Sequence, residues 1–173
     1  MKRKISIVLI LLYTLNFIYP VSKSLYLCQS KIYIINHKII KIDIYDNGTS
    51  DYNNQTIVKI LKKNKFGLWK EKGVFESIKL EEGDFGEGFQ DCWVEDNKIY
   101  IQQSFGDGKF LIISKLIFEY NNKDEIKLIS YIENHIDRFS EDKDFTDIHF
   151  EIPYNISIND IDSKFVYDMH KQQ

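Results

Sequence analysis

Between Cys92 and Asn134 the chain alternates apolar and polar side chains and is interrupted by turn-forming residues at short intervals. The segments Cys92–Glu95 and Lys98–Phe105 flank Asp96-Asn97, a dipeptide suited to a two-residue hairpin connection. Gly106-Asp107-Gly108 marks the next reversal, and Lys109–Tyr120 then forms a long strand. Asn121–Asp124 turns the chain into Glu125–Asn134. A period of two with such short connections admits antiparallel neighbours and little else, because parallel strands need crossovers of a dozen residues or more. This stretch therefore predicts an antiparallel meander of about four strands. The long strand carries Phe110, Ile112, Leu116 and Phe118 on one face and Leu111, Ile113 and Ile117 on the other. Apolar on both faces, it is expected at the sheet centre, covered on both sides.

The rest of the chain extends that reading. Ile40, Ile42 and Ile44 alternate with Lys41, Asp43 and Tyr45, a half-buried strand ending at the Asp46-Asn47-Gly48 turn. Thr56–Leu61 reads as a strand, Asn64–Gly67 as a turn, and Leu68–Ile78 as extended, with Trp69 and Phe75 as core anchors. Gly83–Gly88 reads as the most flexible stretch, and Arg138–Asp147 as a charged loop. Ile148–Ile152 is a last short strand, and Ser157 is placed to cap a short helix reaching Tyr167. No linker or strict repeat divides the chain. The expected fold class is mainly β: one domain with an antiparallel meander and a short C-terminal helix.

Compartment is read from the start of the chain. Lys2, Arg3 and Lys4 precede the apolar run Ile5–Ile18, and Ser22-Lys23-Ser24 supplies small residues at a cleavage position. These features predict a signal peptide over residues 1–24, cleaved after Ser24, and a periplasmic or secreted domain over residues 25–173. Retention as a membrane anchor is the alternative, with Tyr13, Phe17 and Tyr19 at an interface. Cleavage removes four of the 23 basic residues and none of the 26 acidic ones, leaving a formal net charge of −7. That balance disfavours nucleic acid, which demands a basic face, and favours a basic protein partner. After cleavage no membrane association is expected. Cys28 and Cys92 are expected to pair in an oxidising compartment, a closure worth roughly 4 kcal/mol if unstrained. Lipidation of Cys28 is the alternative, but Leu25-Tyr26-Leu27 puts a bulky residue where processing needs a small one.

No constellation specifies chemistry. Around the glycines of residues 81–88 stand Glu81, Glu82, Asp84 and Glu87, which would repel a phosphate; calcium, on Asp84, Glu87 and Asp91, is the better functional alternative to a solvated acidic hairpin. Asp142 and Asp144 lie in a second acidic cluster that lacks the glycine and closing glutamate of a calcium loop. His135, Asp137 and Arg138 could supply a base, its orienter and an oxyanion holder, yet no nucleophile motif accompanies them. His37 and His170 stand alone in sequence. No cofactor, metal or catalytic residue is therefore assigned. The binding candidates are Phe85, Glu87, Phe89, Asp91, Arg138, Asp142, Asp144 and Phe145, where aromatic anchors sit among acidic residues.

The run from Val94 to Tyr131 also resembles the closing region of small exported bacterial proteins related to FG-GAP/VCBS-type domains. The matching features are the Gly106 and Gly108 turn, Phe118 and Tyr120 ending the long strand, and the Leu128-Ile129 pair; the Asp46-Asn47-Gly48 turn, Thr56–Leu61 and Trp69 are compatible upstream. The Trp-containing turn of those relatives is absent, and their Asp-rich calcium-type repeat is degraded. The resemblance implies an exported, non-catalytic binding module of the surface-interaction or immunity-protein kind. An exported hydrolase using the His135/Asp137 pair, or a calcium-dependent surface module, are the alternatives.

Overall fold

A computed structural model describes residues 25–46, 55–80, 85–106, 108–140, 147–153 and 155–171. The chain lays down two antiparallel sheets one after the other. The first has the order β1-β2-β3-β4, formed by Tyr26–Ile35, Lys38–Asp46, Thr56–Lys63 and Trp69–Glu76. The second has the order β5-β6-β7-β8-β9, formed by Phe85–Glu95, Lys98–Gly106, Phe110–Tyr120, Ile126–Asp137 and Asp147–Phe150. The mainly β, single-domain, antiparallel reading holds.

Alternation sets the core. In β2 and β3 Ile40, Ile42, Val58 and Ile60 turn inward, and in β6 and β7 Ile99, Ile101, Ile112, Leu116 and Phe118 answer them. The facing sheets share one continuous core, with Phe75 meeting Phe118 edge to face at 6.5 Å between ring centres. The β1–β2 and β5–β6 hairpins turn on Asn36-His37 and Asp96-Asn97, all four at positive φ (48°, 62°, 48° and 61°). Such paired left-handed residues give the twist that matches the strands. The Asn36 amide donates to Asn97 Oδ1 at 3.2 Å, so the two turns lie side by side.

After β9 a 3-10 turn, Ile158–Asp160, and helix α1, Ser163–His170, close one flank of the sandwich. Gly73 makes this closure possible: a Cβ there would lie 2.5 Å from Ile158 Cγ2. Among the described residues no helix is long and apolar enough to cross a membrane.

Several expectations need correction. Ser157 caps the 3-10 turn in a full capping box, while α1 takes Asp162 as its cap. Trp69 is not a core residue; it lies half-buried on the outer face, with the Lys41 and Lys63 ammonium groups 5.3 and 5.9 Å from its ring centre. β7 is central, but only its inner face is fully buried. Leu111, Ile113 and Ile117 are half-covered, on the face where Trp93 and Tyr100 stack 5.1 Å apart. Much of the glycine-rich stretch is strand: β5 begins at Phe85, absorbs Gly86 in a register shift before Gly88 pairs with Ser104, and shifts again between Phe89 and Asp91. At Gly86 φ is 109°, and a Cβ would meet Ser104 O at 2.6 Å, so no other residue fits.

The cysteines are not paired. Both are free thiols, Cys28 exposed at an irregularity of β1 and Cys92 buried in β5. Cys28 Sγ turns to the Tyr26 carbonyl at 3.4 Å, whereas Cys92 packs into the core at 1% exposure. Burial, helped by the charge of Asp91, pushes the Cys92 thiol up to about 12. It is therefore protonated and inert at neutral pH.

Candidate functional site

Two regions carry functional side chains. The first gathers candidates read from the sequence. In a meander every second connection falls at the same end, so Asp46, Thr56, Gly106, Asp137 and Arg138 lie at the end away from the Asn36 and Asp96 turns. There Glu87, Phe89 and Asp91 of β5 line a cleft of about 240 Å³ with Cys28, Gln29, Asp46 and Thr56 of the first sheet. Glu87 also lines a neighbouring hollow of about 320 Å³ with Gln90, Ser104, Leu111 and Arg138. Glu87 and Asp91 are exposed, and Phe89 is half-buried against the core. The side chain of Phe85, and Asp142, Asp144 and Phe145 altogether, lie outside the described residues, as do Glu81, Glu82 and Asp84.

The second region was missed by sequence reasoning. On the inner face of β8, Tyr131, Glu133 and His135 stand in line, and α1 adds His170 from above. The Glu133 carboxylate is wholly buried. Its Oε1 accepts from the Tyr131 hydroxyl at 2.6 Å, and its Oε2 lies 2.6 Å from His135 Nε2 and 2.9 Å from His170 Nδ1. Burial first, then the charge of Glu133, drives the Tyr131 phenol far above its ordinary value and fixes it as a donor. Phe110 lies against His135 with ring centres 6.0 Å apart, and Phe105 meets His170 edge-on at 5.7 Å. The three ligand-type atoms of Glu133, His135 and His170 lie within 4.8 Å of one another, a set able to hold a metal ion. Cross-strand neighbours extend the polarity: Ser114 faces Glu133, and Gln103 faces Ser114. Gln103 Oε1 accepts from the Ile78 amide at 2.9 Å, while its buried Nε2 has no partner among the described residues.

The structure separates the residues proposed for hydrolysis. His135 turns to Glu133, not Asp137. Asp137 pairs with Lys109 at 2.8 Å and accepts from the Phe139 amide at 2.9 Å, and Lys109 holds its carboxyl below the usual range. Arg138 donates to the Gly108 carbonyl at 3.3 Å. The segment is a surface clasp between the β6–β7 and β8–β9 connections, without the base-and-orienter geometry that catalysis requires.

A groove of about 890 Å³ beside α1 alternates Lys79, Lys164 and Lys171 with Glu76, Asp162 and Asp168, which selects no ligand charge. Comparisons with protein-family models, with curated proteins and with solved structures each returned no match.

Proposed function

We propose that this chain is an exported, non-catalytic binding module that engages a basic protein partner through the loop end of its sandwich. The observation carrying this reading is the convergence of β5 and the β8–β9 connection on one surface. Glu87 belongs to both concave patches there and lines the second together with Arg138. Residues separated by about fifty positions in sequence thus form one face, and the neighbouring sequence is acid-rich, with Glu81, Glu82 and Asp84 before β5 and Glu141, Asp142 and Asp144 after Arg138. A rigid scaffold presenting loops at one end is the usual arrangement for recognition. Its negative charge speeds encounter with a basic partner, and Phe89 supplies apolar area beside the charges.

Export rests on the basic start and short apolar run of residues 1–24, and places the module in the periplasm or outside the cell. An immunity-type inhibitor of a secreted basic toxin is the concrete form of this reading, and the FG-GAP/VCBS-type resemblance of Val94–Tyr131 agrees with it.

A photo-crosslinking side chain at position 87 or 138, expressed in the exporting cell, tests it. A discrete adduct is expected from both positions and none from position 123 at the opposite end, with association slowing as salt rises. Adducts from position 123 alone, or none from 87 and 138, would overturn the assignment.

A further inference from the structure

We infer that Glu133, His135 and His170 form a binding site for a divalent transition-metal ion of the zinc class. Two imidazole nitrogens on separate elements are aimed at one carboxylate oxygen, at 2.6 and 2.9 Å. Convergence of this kind is what a metal centre demands. In a tetrahedral zinc site with bonds near 2.0–2.2 Å, neighbouring ligand atoms sit ~3.3 Å apart. The two carboxylate–imidazole separations therefore have to open by less than about 1 Å for an ion to enter, with the two ring nitrogens already within 4.8 Å of one another.

The donor set fits that ion class and not calcium: two imidazoles and one carboxylate suit zinc, copper or nickel, whereas calcium takes six to eight oxygens. An outer shell is already in place. The Tyr131 hydroxyl holds Glu133 Oε1 at 2.6 Å, which leaves Oε2 for the ion and fixes the plane of the carboxylate. The surroundings are dry on one side and open on the other. Glu133 is completely buried, while the two histidine side chains keep 17% and 19% exposure, a path for the ion to enter. Each facing ring nitrogen must offer the ion a lone pair, so ligation replaces its contact with Glu133. Two of the ligands lie on β8 and the third on α1, so the ion would fasten the C-terminal helix to the sheet.

Calorimetric titration of the chelator-treated, purified protein with Zn²⁺ alone tests the site, with Co²⁺ as a spectroscopic substitute. The expected result is one ion per chain, a raised melting temperature, and visible Co²⁺ bands of tetrahedral or five-coordinate character. Tyr131→Phe should weaken binding about 10-fold, and His170→Ala should weaken it beyond the roughly 100-fold reached by outer-shell losses. His149→Ala, exposed on β9, should leave affinity unchanged. Far-UV circular dichroism of each variant without metal separates loss of ligation from loss of fold. Absence of saturable Zn²⁺ binding by the wild-type chain, or undiminished affinity in folded His170→Ala, would overturn the inference.

Discussion

At the end where β1–β2, β5–β6 and β7–β8 turn, side chains cross from sheet to sheet; at the other end the space between the sheets opens into the cleft lined by Cys28 and Glu87. The first end is organised around Asp124, in the β7–β8 turn. Its carboxylate receives Lys38 at 2.9 Å, Lys62 at 2.7 Å, Lys72 at 3.5 Å and the Tyr120 hydroxyl at 3.1 Å. Lys38 and Lys62 come from the first sheet and Asp124 from the second, so one carboxylate locks the sandwich. The second end relies on backbone shape: Gly86 brings β5 against β6 where no side chain fits. One end is thus held by charge among short turns, and the other by glycine geometry beneath longer connections. The difference teaches where change is tolerated: in a binding module, the end without the lock is the one free to vary its loops.

Breaking the lock should give the largest effect. Asp124→Ala removes the acceptor for three lysines and a tyrosine and leaves those cations unpaired; it also places alanine at φ 64°. A loss of about 2–4 kcal/mol in urea-derived stability is expected, the ion pairs being only partly buried. Asp124→Asn keeps a side chain that tolerates the left-handed backbone and should cost about half as much. Equal losses would mean that the charge, which both variants remove, and not the backbone, sets the cost. Gly86→Ala attacks the other end, with an expected loss of about 1–3 kcal/mol that salt does not change. Gly108→Ala, at φ 86° but in open space, should cost about 1 kcal/mol for the backbone alone.

Acid should distinguish the ends in the same order. Hydrogen bonding from Lys62, then from Lys38 and Tyr120, holds Asp124 far below its ordinary 3.8 against the opposing effect of burial. The folded value lies below the unfolded one, so the contribution is complete above the unfolded value and is lost as pH falls below 3.8 towards the folded value. The acid limb of a stability–pH curve should flatten in Asp124→Asn. Asp137 is depressed by Lys109 in the same direction at the opposite end, but by one lysine that is itself largely exposed. Asp137→Asn should therefore flatten that limb less, and 0.5 M salt should erase its effect first.

These regions were unequally legible in the sequence. Alternation and turn dipeptides located the meander because both signals are local: Asp96-Asn97 needed only its neighbours to be recognised as a two-residue turn. Trp69 was misplaced because aromatic character does not reveal which face of a strand is inward, and Lys41 and Lys63 cover it from the outside. Of the candidate surface, Glu87, Phe89, Asp91 and Arg138 were visible as charged and aromatic residues near turns. The Glu133 cluster was not. Glu133 and His135 share a face two residues apart, a weak hint, but His170 joins them only through the return of α1 across 35 residues of chain. The cysteines misled for the converse reason: compartment suggested a bridge, while strand register sent Cys92 inward and left Cys28 on the rim.

The smallest effects belong to the open end, and they sharpen the contrast best. Glu87→Ala and Arg138→Ala remove exposed side chains without opening the core, so each should shift stability by no more than about 0.5 kcal/mol. If the loop end recognises a partner, the same substitutions should reduce crosslinking while the melting curve stays in place. Cys28 offers a parallel probe in that cleft. Its exposed thiol should react with a bulky disulfide reagent in the native protein, whereas Cys92 should react only after unfolding, since burial both shields it and keeps it protonated. Modification of Cys28 that leaves the melting temperature unchanged yet blocks crosslinking from position 87 would place the partner over the cleft between β1 and β5. Destabilisation on modification would instead mean that this end is locked as tightly as the one built on Asp124.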